Sequence, residues 1–202
     1  VFDIHESHKD IVEWEGCINL MKGAIECAHQ ISTVSPSYAN EILDPWYSHG
    51  LDTILRQRCY KLRGILNGID VENYNPETDK DIFKNYSADN VRGKYVNKKE
   101  LQKLLGLPEK SDVPVMGMVT RLVSHKGLDL CKEVLDELLE TTDIQLVVLG
   151  SGDYQYEEFF RGLAQRFPEK VGLCLGFIPD LARKIYAGAD FFLMPSKSEP
   201  CG

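Results

Sequence analysis

The chain has 202 residues, enough for one large domain or for parts of two, and its 43% hydrophobic content is sufficient for a real core. A net charge of −8 excludes the broad basic footprint of a nucleic-acid binder, and no apolar run approaches the roughly 20 residues of a membrane helix. A site for an anionic ligand in so acidic a chain has to gather its positive charge locally.

The six cysteines (Cys17, Cys27, Cys59, Cys131, Cys174 and Cys201) form no Cys-x-x-Cys pair and no zinc-like grouping with histidine. They read as reduced thiols of a cytosolic-type compartment. The chain opens on Val1-Phe2-Asp3 without an initiator methionine, so a targeting segment upstream is left open.

From the N-terminus, Ile18 to His29 has the spacing of an amphipathic helix, Gln30 to Val34 reads as a short strand, and Ser37 to Ile42 as a helix after Pro36. A strand at Leu62 to Leu66 leads into Asn67-Gly68-Ile69-Asp70. Residues 71–100 are rich in Asn, Asp and Lys and read as a long surface excursion, with a helix from Lys98 to Leu105. The boundary between two domains falls around residues 55–65, giving units 1–60 and 61–202.

Beyond it the pattern alternates. Val113 to Thr120 is a strand, and Lys126 to Leu139 carries Leu128, Leu130, Val134, Leu135 and Leu138 at helical spacing. Ile144 to Leu149 is a near-continuous apolar run, as in a strand covered on both faces. Tyr156 to Phe167 is helical and stops at Pro168. Val171 to Leu175 is a strand, Asp180 to Ala187 a helix and Phe191 to Met194 another strand. Such alternation implies βαβ units and an α/β, Rossmann-like parallel sheet flanked by helices.

In open α/β sheets ligands collect at the carboxyl ends of the strands. Four loops there carry suggestive residues. The first, Arg121-Leu-Val-Ser-His-Lys126-Gly127, places two cations just before a helix, where a diphosphate could be clamped with help from the helix N-terminus; a solvated loop is the plainer reading. Gly150-Ser-Gly152-Asp153 permits close backbone approach to a ligand, or is simply a tight turn. Gln155 stands where a dinucleotide fingerprint needs glycine, which counts against a nicotinamide enzyme. Phe177, directly after a strand end, would stack on a nucleobase or pack in the core or at the rim. Glu199, at the last strand end, is either a catalytic or sugar-binding carboxylate or an ordinary surface glutamate.

Together these segments resemble the bacterial glycogen synthases and plant starch synthases. Thr33-Val-Ser-Pro-Ser-Tyr-Ala-Asn-Glu41 is similar to the family's TVSPxYAxE segment. Gly50 to Leu55, Gly64-Ile-Leu-Asn-Gly-Ile-Asp70 and Asn75 to Asp79 resemble its interdomain crossing. Arg121 to Asp129 is similar to its RLxxxKGLD loop, and Leu149 to Asp153 and Ile185 to Asp190 fit as well. Pro195-Ser-x-x-Glu-Pro-Cys-Gly202 resembles the start of its acidic motif. Any one match is modest, but the ordered set is specific.

The resemblance implies a GT-B glycosyltransferase with its site between two domains, residues 1–60 ending the acceptor-side domain and 61–202 beginning the nucleotide-sugar domain. It implies transfer of glucose from ADP-glucose to the non-reducing end of an α-1,4-glucan with retention of configuration, without a metal or other cofactor. Arg121, Lys126 and Glu199 would be the catalytic residues. Asn67, Gly150, Gly152, Asp153, Phe177, Cys201 and Gly202 would bind the nucleotide sugar. The partners implied are ADP-glucose and glycogen or starch, with no nucleic acid and no membrane, in the cytoplasm or, for a plant, the plastid. Tyrosine is more usual at position 177, and Arg-Phe at Lys197-Ser198, where the change is expected to matter little. The family's Lys-x-Gly-Gly loop would lie before residue 1 and the second motif glutamate after residue 202, so these 202 residues alone are expected not to transfer glucose. The rivals are a UDP-glucose-dependent GT-B enzyme and a non-catalytic nucleotide- or glucan-binding module.

Overall fold

A computed structural model describes residues 5 and 8–201; the described residues fall into two compact units, one running up to residue 68 and including residues 198–201, the other Ile69–Lys197.

The first unit begins with helix α1 (Lys9–Val12), a hairpin of β1 (Glu13–Trp14) and β2 (Cys17–Ile18), and helix α2 (Leu20–Cys27). Asn19 caps α2, its side chain accepting from the Lys22 amide at 3.0 Å. Strand β3 (Ile31–Val34), helices α3 (Pro36–Glu41) and α4 (Asp52–Gln57) and strand β4 (Leu62–Ile65) follow. Ile25, Ile54 and Leu55 are buried together, with Trp14, Ile31 and Leu43 packed around them. Strand β4 pairs in parallel with β3, from Ile31 opposite Leu62 to Val34 opposite Ile65. That pairing holds residues 62–65 in the first unit. The units therefore divide after Gly68, where the sequence reading set the division at residue 60.

The second unit is a doubly wound α/β layer structure. After helix α5 (Arg92–Leu104) the chain runs β5 (Val115–Val119), α6 (Leu128–Thr141), β6 (Gln145–Gly150), α7 (Tyr154–Arg166), β7 (Val171–Leu175), α8 (Pro179–Gly188) and β8 (Phe191–Phe192). The four strands are parallel in the order β7-β6-β5-β8. Alternate side chains leave the sheet on opposite faces, and both are covered. Met118, Leu146, Val148 and Val171 pack with Leu128 and Leu135 of α6 and Phe160 and Leu163 of α7. Val115, Val147 and Leu149 pack with Leu101 of α5 and Leu181 and Ile185 of α8. Fully burying each such side chain contributes roughly 1.5–3 kcal/mol. Burial also pushes the Cys131 thiol up to about 11, and all six cysteines are free thiols. Among the described residues no helix is long and apolar enough to cross a membrane.

The short elements α1, β1, β2 and α4 were not expected from the sequence, and in the second unit α5 and β8 differ in extent. Helix α5 begins at Arg92 rather than Lys98, because its inward face is partly polar. The fully buried Asn97 accepts from the amides of Phe83 and Lys84 (2.9 and 3.2 Å) and donates to the carbonyls of Lys84 and Gly93 (2.6 and 2.9 Å). Gln102 donates to Gln145 Oε1 at 2.7 Å, and Lys98 pairs with Asp190 at 2.8 Å. The 69–91 excursion is therefore tied down, and Arg183 ties it again. Its guanidinium donates to the Asn73 carbonyl (2.7 Å), Asn73 Oδ1 (2.7 Å) and Asp79 Oδ2 (2.8 Å). Strand β8 is regular over only Phe191–Phe192, although the Leu193 amide still donates to the Gly117 carbonyl at 2.8 Å.

Strand order reverses at β5. The chain steps from β5 through β6 to β7, then crosses by α8 to set β8 on the other side of β5. In such sheets the carboxyl-end loops at and beside the reversal are where ligands bind.

Candidate functional site

At the carboxyl ends of β5, β6 and β7 lies a cleft of about 400 Å³, a size usual for small-molecule sites. Its wall includes Thr120 and Arg121 after β5, Gly150 and Ser151 at the end of β6, and Gly176 and Phe177 after β7. Ile178 and Pro179, where α8 starts, complete the rim, so the positive end of a helix opens on the cleft. Phe177 is 90% exposed. A core role for it is thereby ruled out, and its ring stands bare beside the guanidinium-bearing loop. The floor, with Val119, Leu149 and Ala182, is apolar. An aromatic face, an apolar floor and a neighbouring cation suit a flat, partly apolar ring carrying an anionic group.

The sheet thus brings Arg121, Gly150 and Phe177 together. Gly152 and Asp153 lie outside the cleft lining, and their loop pairs with the one that follows β5. Leu122 bridges Gly152 in parallel fashion, its amide donating to the Ser151 carbonyl (2.9 Å) and its carbonyl accepting from the Asp153 amide (2.8 Å). The Gly152 amide donates to Glu157 Oε1 at 3.0 Å. A Cβ on Gly150 would lie 2.0 Å from the Thr120 carbonyl oxygen, and one on Gly152 2.3 Å from that of Leu122. Both glycines are thus required by the closeness of the β5 loop, whose backbone at Leu122 is held next to Arg121.

Lys126 also lies outside the lining of that cleft. It ends a 3₁₀ turn, Ser124–Lys126, and Gly127 then adopts a left-handed conformation (φ +71°) to start α6. This turn lies against residues 195–197, which follow β8. A Cβ on Gly127 would sit 2.0 Å from the Pro195 carbonyl oxygen. The Lys197 amide donates to the His125 carbonyl at 2.9 Å, and Lys197 Nζ pairs with Asp129 Oδ2. Asp129 closes the segment that resembles the RLxxxKGLD loop, and Lys197 stands where Arg is more usual, but neither is among the site residues expected from the sequence; the one available signal is the acidic residue in the first turn of α6.

The remaining candidates fall in the first unit: Asn67 is exposed and Glu199 and Cys201 are partly buried. Gly202 lies outside the described residues.

The parallel sheet covered on both faces, with a basic and aromatic rim, is of glycosyltransferase type. The family described as glycosyl transferases group 1 matches residues 98–202, more than half of the chain, and the starch synthase catalytic domain family matches residues 2–57. The chain belongs to the glycosyl transferases group 1 family, and its relatives include glycogen synthases. It is 54% identical over 193 residues to the glycogen synthase of Thermosipho melanesiensis, covering 96% of this chain and 40% of that one. It is 50% identical over 194 residues to the glycogen synthase of Finegoldia magna, covering 96% and 41%. The catalytic domain of starch synthase IV from Arabidopsis thaliana, bound to ADP and acarbose, superposes with a TM-score of 0.85 at 39% identity, over 92% of this chain and 38% of that chain. The fold is the α/β, GT-B type with a Rossmann-like parallel sheet that the sequence implies. The chain spans about 40% of the length of the curated relatives it matches.

Proposed function

We propose that the protein is a glycogen (starch) synthase, transferring glucose from ADP-glucose to the non-reducing end of an α-1,4-glucan with retention of configuration and without a metal. The observation that carries this reading is the bare ring of Phe177 opening on the same cleft as Arg121 at the carboxyl end of a parallel sheet. The similarity to glycogen synthases, and to a starch synthase bound to ADP and acarbose, supports it.

In this proposal Phe177 stacks on adenine over the apolar floor. Arg121 and Lys126 hold the diphosphate. As the bond from glucose C1 to the β-phosphate oxygen breaks, its electron pair goes to that oxygen, and both cations stabilise the charge. The acceptor's 4-hydroxyl forms the new bond from the face that the phosphate leaves, and its proton passes to the departing phosphate. Fixed charges in a water-poor site do most in such a reaction, because the leaving group carries the developing charge. Glu199 and Asn67 are assigned to the donor glucose, and Cys201 and Gly202 to the glucose and phosphate.

The test is incorporation of labelled glucose into glycogen by the full-length protein, with divalent ions chelated, from ADP-glucose and from UDP-glucose in parallel. Preference for ADP-glucose is expected. Preference for UDP-glucose would move the protein to another GT-B activity, and binding of ADP without any transfer would make it a binding module. In the same protein, Phe177→Ala is expected to weaken ADP binding by about 1–3 kcal/mol, the usual worth of a base–aromatic stack. Phe177→Tyr keeps the face and should change it little. Equal ADP affinity in calorimetry for wild type and Phe177→Ala would remove Phe177 from the site.

A further inference from the structure

We infer that Lys197 and Asp129 form a positioning latch that sets the place of Lys126 in the donor site. The inference rests on the function proposed above.

Three joins hold the turn 124–129 to the segment after β8. Two belong to the backbone: the close packing of Gly127 on the Pro195 carbonyl, and the Lys197 amide on the His125 carbonyl at 2.9 Å. They fix one side of the turn, around residues 125–127. The third depends on side chains. Lys197 Nζ reaches Asp129 Oδ2 across 68 positions of sequence and grips the turn just past Lys126, at the start of α6. With both ends held, the strand-end loop bearing Lys126 cannot rotate about its glycine.

The magnitude of the ion pair argues for position rather than stability. Both side chains are about half exposed, 49% for Lys197 and 48% for Asp129, and pairs so placed contribute little to folding because water and salt screen them. Yet the pair is closely made. The hydrogen bond from Lys197, ahead of smaller effects including the amides at the start of α6, holds the Asp129 carboxyl below its usual range. Asp129 Oδ1 is buried and makes no hydrogen bond of good geometry among the described residues. The carboxylate therefore depends on Lys197 as its cationic partner. An interaction nearly neutral for stability, but joining the carboxyl-end loops of the two strands at the point of reversal, has its effect on geometry. Small misplacements of a charged group cost catalysis far more than they cost folding.

Neither residue lines the cleft, so the role assigned is one of positioning. The test uses the full-length protein and the variants Lys197→Met, Asp129→Asn, the double variant, and Lys197→Arg. Turnover from ADP-glucose is expected to fall on the order of tenfold in each of the first two, with the KM for glycogen and the melting temperature nearly unchanged. The double variant should be no slower than either single one, because both changes break one bond; independent effects would multiply to about a hundredfold. Lys197→Arg keeps the cation and should stay close to wild type. Normal turnover in Lys197→Met, multiplicative losses in the double variant, or losses that follow the melting temperature would each overturn the latch alone. An inactive wild type would overturn the proposed function, and the latch with it.

Discussion

Replacing Arg121 or Lys126 by alanine in the full-length protein is expected to lower turnover from ADP-glucose by at least 10- to 150-fold, while glycogen binding changes little. The magnitude follows from the worth of one charge-assisted contact, roughly 1.5–3 kcal/mol. It is a lower bound, because the charge being stabilised grows as the diphosphate leaves, and interactions that strengthen in the transition state weigh on turnover more than on binding. The two residues are held differently, which makes the comparison informative. Arg121 lies in the cleft wall beside Gly150, its loop locked by the backbone pairing of Leu122 with Ser151 and Asp153. Lys126 ends a 3₁₀ turn outside that wall, held against residues 195–197. Arg121→Ala should therefore weaken ADP itself, in step with Phe177→Ala. Lys126→Ala should act more on turnover than on ADP affinity. Parallel measurement of turnover and ADP binding checks this, and near-normal turnover in both variants would dismiss the diphosphate clamp.

What the sequence disclosed and what it concealed follow from where the information resides. Strands β5, β6 and β7 were legible because a parallel strand covered on both faces needs an unbroken apolar run, and Leu146 to Leu149 is one. The rim was legible because strand ends are visible once the strands are, and Arg121, Gly150 and Phe177 stand at three of them. The start of α5 was hidden by Asn97, a buried polar residue that breaks the apolar period and is satisfied by distant backbone amides and a carbonyl. Strand β4 lay where the pattern permitted it, but its partner, and hence its unit, is settled only by pairing with β3. The glycines at 150 and 152 suggested close approach of a ligand, and the structure adds a second reason for them, a neighbouring loop packed into the space their missing side chains leave. The contact between Lys197 and Asp129 joins residues 68 positions apart, so the local sequence showed only an acidic first turn of α6 and not its partner.

The largest loss of folding stability is expected from Gly127→Ala, about 2–4 kcal/mol, a range reached when a point change combines backbone strain with a steric clash. Two effects act there. The residue sits at φ +71°, where a side chain costs roughly 1–2 kcal/mol by crowding its own carbonyl. Its Cβ would also fall 2.0 Å from the Pro195 carbonyl oxygen, backbone that cannot rotate aside as a flexible side chain would. Relief requires the turn and residues 195–197 to part, which also breaks the contacts of Lys197 with His125 and Asp129. Gly106 supplies the control within the same unit. It has almost the same conformation, φ +69°, but an added Cβ there meets nothing within 4 Å, so Gly106→Ala carries the strain alone. Urea unfolding of both variants in the full-length protein, followed through the midpoint and the slope, separates the two effects. The difference between the variants measures the clash. If Gly127→Ala costs no more than Gly106→Ala, the 195–197 segment yields freely, and the close packing of these two strand-end loops is not what holds Lys126 in place.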